Sequence, residues 1–349
     1  MKKKIVTLLY IISLFKCLYT RSPQRKTSAD IPIIQIGWVG QQQFHELCYS
    51  HLQEKPFFHL FDKKHFMSHL IEPGPVSFRD NSGSITGTEL SQLVAHLLEE
   101  VKQGKQQFTH FEILKMRDFN RRDKTGLIIV KAKQYPFVVK LFIETPESLV
   151  LPLSKGFEPT CFFMMGGGVN RHLNGFTRIK NLSYLRKRVA EHPHWRRYVD
   201  FPRKWFWLPE HVQWIEMRGI NVGHNPQQVK IIHIPAVYAL ICDYIDVERL
   251  FSLGNKQDRD TALALSNYVQ QNIDPHINNY GMERHTGLIV PLDTEHFPTM
   301  VGYATPPYCK TYLQWYTNLT LKMLKDCIGT TKKERLIIRS RPYIRRKPL

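Results

Sequence analysis

Cysteine is sparse and scattered in this chain, with six residues in 349 and no close pair among them. Without a Cys-x-x-Cys spacing the sequence offers neither a disulfide framework nor a zinc site, and the thiols are expected to be buried or unpaired. No internal repeat or low-complexity tract is present, which sets aside the repeat architectures. Acidic residues are also short: 30 Asp and Glu stand against 49 Lys and Arg, a net charge of +19. That balance suits polyanionic neighbours such as nucleic acid, an anionic membrane or phosphate-rich substrates, and it also serves plain solubility. The apolar run at residues 5–15 follows Lys2, Lys3 and Lys4 and is too short to span a bilayer. Residues 1–20 therefore read as a signal peptide. The chain is expected to be exported or secreted, or membrane-anchored if the segment stays uncleaved. Lys16 and Cys17 stand where a cleavage site would have small residues.

What is present is enough for one large domain or two modest ones, since 42% of the 349 residues are hydrophobic. A strand is expected at residues 33–39. A helix is expected at 88–103, where Thr86 and Glu89 form a capping box and Leu90, Leu93, Val94, Leu97, Leu98 and Val101 recur at helical spacing. Residues 110–119, 126–133 and 137–143 alternate as three strands joined by short polar turns, an antiparallel meander. The third strand holds a single cation, Lys140, inside an otherwise apolar run. Gly166, Gly167 and Gly168 mark a loop, and residues 181–192 read as a helix. Strands are expected at 229–234 and 236–245, and helices at 259–271 and 310–327. The stretch 195–214, rich in aromatics and interrupted by proline, gives no assignment.

Three polar sites in this frame carry chemistry. Lys140 sits mid-strand. Asp274 follows a helix and is succeeded five positions later by Asn279, in Asp-Pro-His-x-x-Asn. Fourteen residues beyond Asn279, Asp293 ends the apolar strand 287–292. Phosphoryl transfer from a nucleotide needs a cation for the phosphates, oxygen ligands for magnesium, and a carboxylate near the acceptor hydroxyl.

In order and context these residues, over 111–300, resemble the protein-kinase-like superfamily, with a catalytic loop closest to its atypical, lipid-kinase-like branch. The resemblance implies an α+β, two-lobed fold with an antiparallel N-lobe sheet and a reduced helical C-lobe. It implies ATP and magnesium as cofactors. Lys140 would hold the phosphates, Asp274 would orient or deprotonate the acceptor, and Asn279 and Asp293 would bind the metal. The backbone of Asp243, Tyr244 and Ile245 would meet the adenine. The partner carboxylate of Lys140 is expected to be Glu191, with Glu147 and Glu158 as rivals. The implied division is 1–20 signal or anchor, 21–110 accessory region, 111–245 N-lobe, 246–330 C-lobe and 331–349 basic tail.

The chain departs from the family pattern in several places. The first hairpin has one glycine, Gly126, in place of a glycine-rich loop, with Arg121, Arg122 and Lys124 as alternative phosphate contacts or as a solvated turn. Thr294 and Glu295 follow Asp293, so Glu295 would add a metal ligand or cap a turn. His276, His285 and His296 lack zinc-site spacing, and His276 is expected to orient Asp274. The acceptor, whether protein, lipid or small molecule, stays open. So do two alternatives of other classes: a pseudokinase scaffold without turnover, and a basic binder of nucleic acid or an anionic membrane. The last would use Arg186, Lys187, Arg188, Arg196, Arg197, Arg203 and Lys204 interleaved with Trp195 and Tyr198.

Overall fold

Alternating apolar residues make the first hairpin, β1 (Ile33–Trp38) and β2 (Gln43–Cys48), with Ile34 and Ile36 fully buried. Asp62 caps a short helix, α1 (Lys63–Met67), by accepting from the amides of Lys64 and His65, and the helix delivers Phe66 to the core. A small hairpin, β3 (Pro75–Ser77) and β4 (Ser84–Thr86), leads into α2 (Gly87–Lys102). The expected capping box closes: Thr86 accepts from the Glu89 amide and the Glu89 carboxylate accepts from the Thr86 amide. The meander follows as β5 (Phe111–Lys115), β6 (Phe119–Asn120), β7 (Thr125–Ala132) and β8 (Phe137–Ile143).

Beyond it lie α3 (Pro146–Val150), the long α4 (Gly168–Glu191), α5 (Trp195–Tyr198), β9 (Lys204–Trp207), β10 (Trp214–Ile220), β11 (Lys230–Pro235) and β12 (Val237–Asp243). The remainder is β13 (Val247–Leu250), α6 (Lys256–Tyr268), a 3-10 turn at Ile277–Asn279, β14 (Tyr280–Glu283), β15 (Ile289–Pro291), α7 (Phe297–Val301), α8 (Tyr312–Gly329) and β16 (Pro342–Ile344). This computed structural model describes residues 33–48, 61–150, 168–220, 229–301, 303, 305–329 and 342–344. The signal-like segment, Glu158, Gly166 and Gly167 lie outside them.

The described chain is a mixed α/β fold built on antiparallel sheets. The main sheet runs β5-β7-β8-β12-β9 with β6 added to β7, and a second runs β11-β10-β1-β2-β16. One face of the main sheet packs against the apolar stripe of α2, where Leu90, Val94, Leu97, Leu98 and Val101 meet Ile128, Val130, Val139, Leu141 and Ile241. The other face, with Phe142, Tyr238 and Leu240, packs against the second sheet and against Phe176 and Ile179 of α4. A third core joins the C-terminal half of α4 (Leu182, Leu185, Val189) to α6, α7 and α8. α2 and β1 are thus structural members of the layered core, and the boundary expected at residue 110 cuts through it; Pro32–Leu349 is one compact unit. The tail expected at 331–349 contributes a strand, β16, at the edge of the second sheet.

The pleat of β8 decides where Lys140 goes. Residues 137, 139 and 141 face α2, so Lys140 and Phe142 face α4. Lys140 pairs across the sheet with Leu240, Leu240 with Phe206, and Cys242 with Lys204. Directly opposed residues share a face, so Lys140 and Lys204 emerge on the same side, under α4. That helix lies close because of Gly175, where an added Cβ would sit 1.8 Å from the Tyr238 hydroxyl oxygen. Gly175→Ala is expected to push α4 off the sheet and to cost about 1–3 kcal/mol, the usual range for overpacking, read as a lower urea midpoint. An unchanged midpoint would mean that the helix does not need this approach.

Among the described residues no helix is long and apolar enough to cross a membrane. Cys242 and Cys309 are buried free thiols.

Candidate functional site

Under α4 the chain gathers charges from four distant segments. Lys140 Nζ lies 3.1 Å from Asp293 Oδ2, joining the third meander strand to the segment after β15. Arg178, one turn beyond Gly175 on the same face of α4, grips the same carboxylate with both arms of its fork. Nε donates to Oδ1 at 2.7 Å and Nη2 to Oδ2 at 3.2 Å, and Nη2 also reaches Glu295 Oε2 at 2.8 Å. Lys204 on β9 is buried and donates to Thr294 Oγ1 at 2.6 Å; that hydroxyl donates to the Arg178 carbonyl at 2.9 Å. Asn181 ties α4 to the same loops, donating to the carbonyls of Asn272 and Thr294.

The electrostatics follow from crowding in a dry place. Burial raises the Asp293 carboxyl, but Arg178 and then Lys140 outweigh it and hold the group well below the ordinary carboxylate range. Glu295 goes the other way: burial, then the neighbouring Asp293 charge, raise it. Burial lowers the Lys204 ammonium to about 8. Three cations therefore stand around two carboxylates, one held down and the other pushed up.

The second part of the site is the loop after α6. Asp274 Oδ1 accepts from the His276 amide at 2.9 Å, and Oδ2 from Asn279 Nδ2 at 3.0 Å. Tyr280 donates its hydroxyl to the Asp274 carbonyl, and Tyr312 accepts from the Ile277 amide, which fixes the loop against α8. Burial raises the Asp274 carboxyl to about 7, with Glu295 and Asp293 adding to the push. The Leu292 amide donates to the Asn279 carbonyl at 2.8 Å, which sets this loop beside Asp293. His276 orients Asp274 through its main-chain amide; its ring accepts from the Asn278 amide.

Lys140, Asp274, Asn279 and Asp293 thus lie together, whereas other expected residues do not join them. Glu191 ends α4 and pairs with Arg188 at 3.1 Å on the surface. It lies thirteen residues past Arg178, about 20 Å along the helix axis, so Lys140 takes Asp293 as its partner instead. Glu147 pairs with His45. At the expected adenine edge, the Asp243 amide donates to the Arg203 carbonyl and the Tyr244 amide to the Pro136 carbonyl. The Asp243 carboxylate is held by Arg203. Two of the three amide donors expected there are therefore occupied, and Ile245 is a buried apolar side chain. At the turn between β6 and β7 Arg121 donates to Gln106 and Lys124 to the Lys102 carbonyl. These two cations are tied towards the end of α2, away from Asp293.

Sequence reasoning missed Arg178 and, as a buried site cation, Lys204. The signal was faint: Arg178 is flanked by Phe176 and Ile179 but followed by Lys180, and Lys204 follows Arg203 at the start of the aromatic run Trp205-Phe206-Trp207.

The expected magnesium ligands fit a divalent cation poorly. Both oxygens of Asp293 already face Arg178 or Lys140, and the Asn279 amide is turned to Asp274. Among the described residues no three His, Cys, Asp or Glu side chains converge as a metal cage. Comparison of the chain with protein-family models, with curated proteins and with solved structures returns no match.

Proposed function

We propose that this chain is a kinase-like phosphotransferase that binds ATP and passes its terminal phosphoryl group to a hydroxyl acceptor. The observation that carries this reading is the Lys140–Asp293 contact, 3.1 Å across 153 residues of sequence, beside an Asp274–Asn279 pair. The order of the main sheet agrees with it: a three-strand meander, a helix across one face, then a strand, β12, that leads towards the Asp274 loop. Lys140, with Lys204 and Arg178 behind it, would bear on the phosphates as negative charge develops. The acceptor oxygen forms the new bond to phosphorus while the bond to the departing ADP oxygen breaks. ADP leaves with that electron pair, and Asp274 takes the hydroxyl proton.

Calorimetry on the full chain tests the binding half. Lys140→Ala is expected to weaken ATP binding by about tenfold or more, the loss of one charge-assisted contact. ADP release tests the other half. No heat at millimolar ATP would remove the nucleotide reading and favour the basic binding protein.

A scaffold without turnover is the second reading, favoured by the two-armed hold of Arg178 on Asp293. Binding without ADP release would select it. The nucleic-acid alternative has less to work with than the sequence suggests. Lys204 is buried, Arg203 is committed to Asp243 and Trp195 packs in the third core, leaving Arg186 and Lys187 exposed on α4 and Arg196, Arg197 and Tyr198 exposed on α5.

A further inference from the structure

We propose that this site takes a nucleoside triphosphate without a divalent cation, the Arg178 guanidinium supplying at Asp293 the positive charge that a metal ion would otherwise bring. The inference rests on the nucleotide reading above and departs from it in the cofactor. A metal ion bound at Asp293 needs the lone pairs of its carboxylate. Here Oδ1 accepts from Arg178 Nε, and Oδ2 accepts from Arg178 Nη2 and Lys140 Nζ. Guanidinium is the cation least able to yield that place, because it cannot be discharged at any ordinary pH and it matches a carboxylate with two parallel bonds.

The backbone around it is fixed as well. The Arg178 carbonyl accepts from Thr294, Thr294 accepts from Lys204, and Asn181 one turn on binds the Asn272 and Thr294 carbonyls. Asp293 and Glu295 on one side and α4 on the other are thus sewn together by bonds that do not involve a metal.

The charge balance points the same way. Lys140, Arg178 and Lys204 converge on Asp293 and Glu295, a surplus of positive charge that the neighbouring Asp274 carboxyl, raised to about 7, offsets only in part. A metal-free triphosphate is more negative than its metal complex and gains more from such a surplus. One donor also waits. Arg178 Nη1 is buried and makes no hydrogen bond among the described residues. Buried N–H groups are nearly always paired, and a phosphate oxygen is the acceptor that a guanidinium beside Lys140 would select.

The test is calorimetry of ATP binding to the full-length protein in excess EDTA and in excess magnesium. The wild-type dissociation constants are expected to agree within about threefold, or to favour EDTA. Arg178→Lys keeps the charge and loses the fork; it is expected to weaken metal-free binding by about tenfold and to restore a gain from magnesium. Thermal melting of the variant checks that it is folded, and the wild-type comparison decides by itself if it is not. Wild-type binding that falls tenfold or more in EDTA would overturn the proposal and leave the nucleotide reading standing. No binding in either condition would overturn both. Metal-free binding undiminished in a folded Arg178→Lys protein would overturn the role given to Arg178.

Discussion

Arg178→Met is expected to cost the folded protein about 3–5 kcal/mol, the range measured when one partner of a buried ion pair is removed. The magnitude comes from what is left behind. Asp293 and Glu295 would keep their burial and lose the guanidinium that faces both, with Lys140 as the remaining direct cation on Asp293. Methionine fills similar volume, so packing loss is a minor part. The check is a double-mutant cycle in urea at pH 7. Adding Asp293→Asn to the Arg178→Met chain removes the stranded charge and should recover part of the loss, giving a coupling of about 1–3 kcal/mol. The acid limb supplies a second readout. The folded Asp293 carboxyl lies well below its unfolded value. Its stabilising contribution is therefore present above about pH 4 and lost as pH falls through the depressed folded value. In Arg178→Met the folded value moves up towards the unfolded one, so this acid-limb loss should shrink and be complete at higher pH. A cost under about 1 kcal/mol would place the pair among the weak surface bridges and undo the description of a buried clasp.

Local elements were legible in the sequence to the extent that their signals are local. The capping box at Thr86 and Glu89, the stripe on α2 and the meander strands all depend on neighbours within a few residues. So does the Asp274–Asn279 loop, and Lys140 was visible as the one cation in an apolar strand. The rest depends on which distant segment crosses which. β1 pairs with β10 across about half of the chain, from Ile33 to Ile220, and nothing in Ile-Ile-Gln-Ile names that partner. The start of α4 is polar enough to hide its periodicity, so the sequence signals the helix only from residue 181. Arg178 consequently fell in unassigned sequence.

Glu191 illustrates the same limit. It is a carboxylate on the right helix, but helical rise carries it to the far end, while an arginine faces the lysine strand. A cation's burial is decided by the strand or helix laid over it. Arg178 and Lys204 therefore look, in sequence, like surface charges.

Asp274→Asn should separate function from stability. If Asp274 takes the acceptor proton, transfer falls by about 10²–10⁴-fold, the usual contribution of a positioned base. The wild-type rate should rise with pH through about 7, where the folded carboxyl ionises. Stability should move oppositely. A carboxyl raised from about 4 to about 7 binds its proton more tightly in the folded state. Its contribution is full below about pH 4 and is lost as pH climbs to about 7. Three pH units correspond to about 4 kcal/mol, but the side chain is partly exposed, and about 1–2 kcal/mol is the reasonable expectation after screening. Asparagine keeps an oxygen acceptor for the His276 amide, can donate to Asn279 once that side-chain amide turns its oxygen inward, and carries no charge, so the variant should lose that slope and be the more stable protein at pH 8. A residue whose neutralisation strengthens the fold while abolishing transfer is held in place for its chemistry. If Asp274→Asn instead weakens the fold at pH 8 and leaves transfer intact, Asp274 is a loop anchor, and the acceptor proton must go to another group.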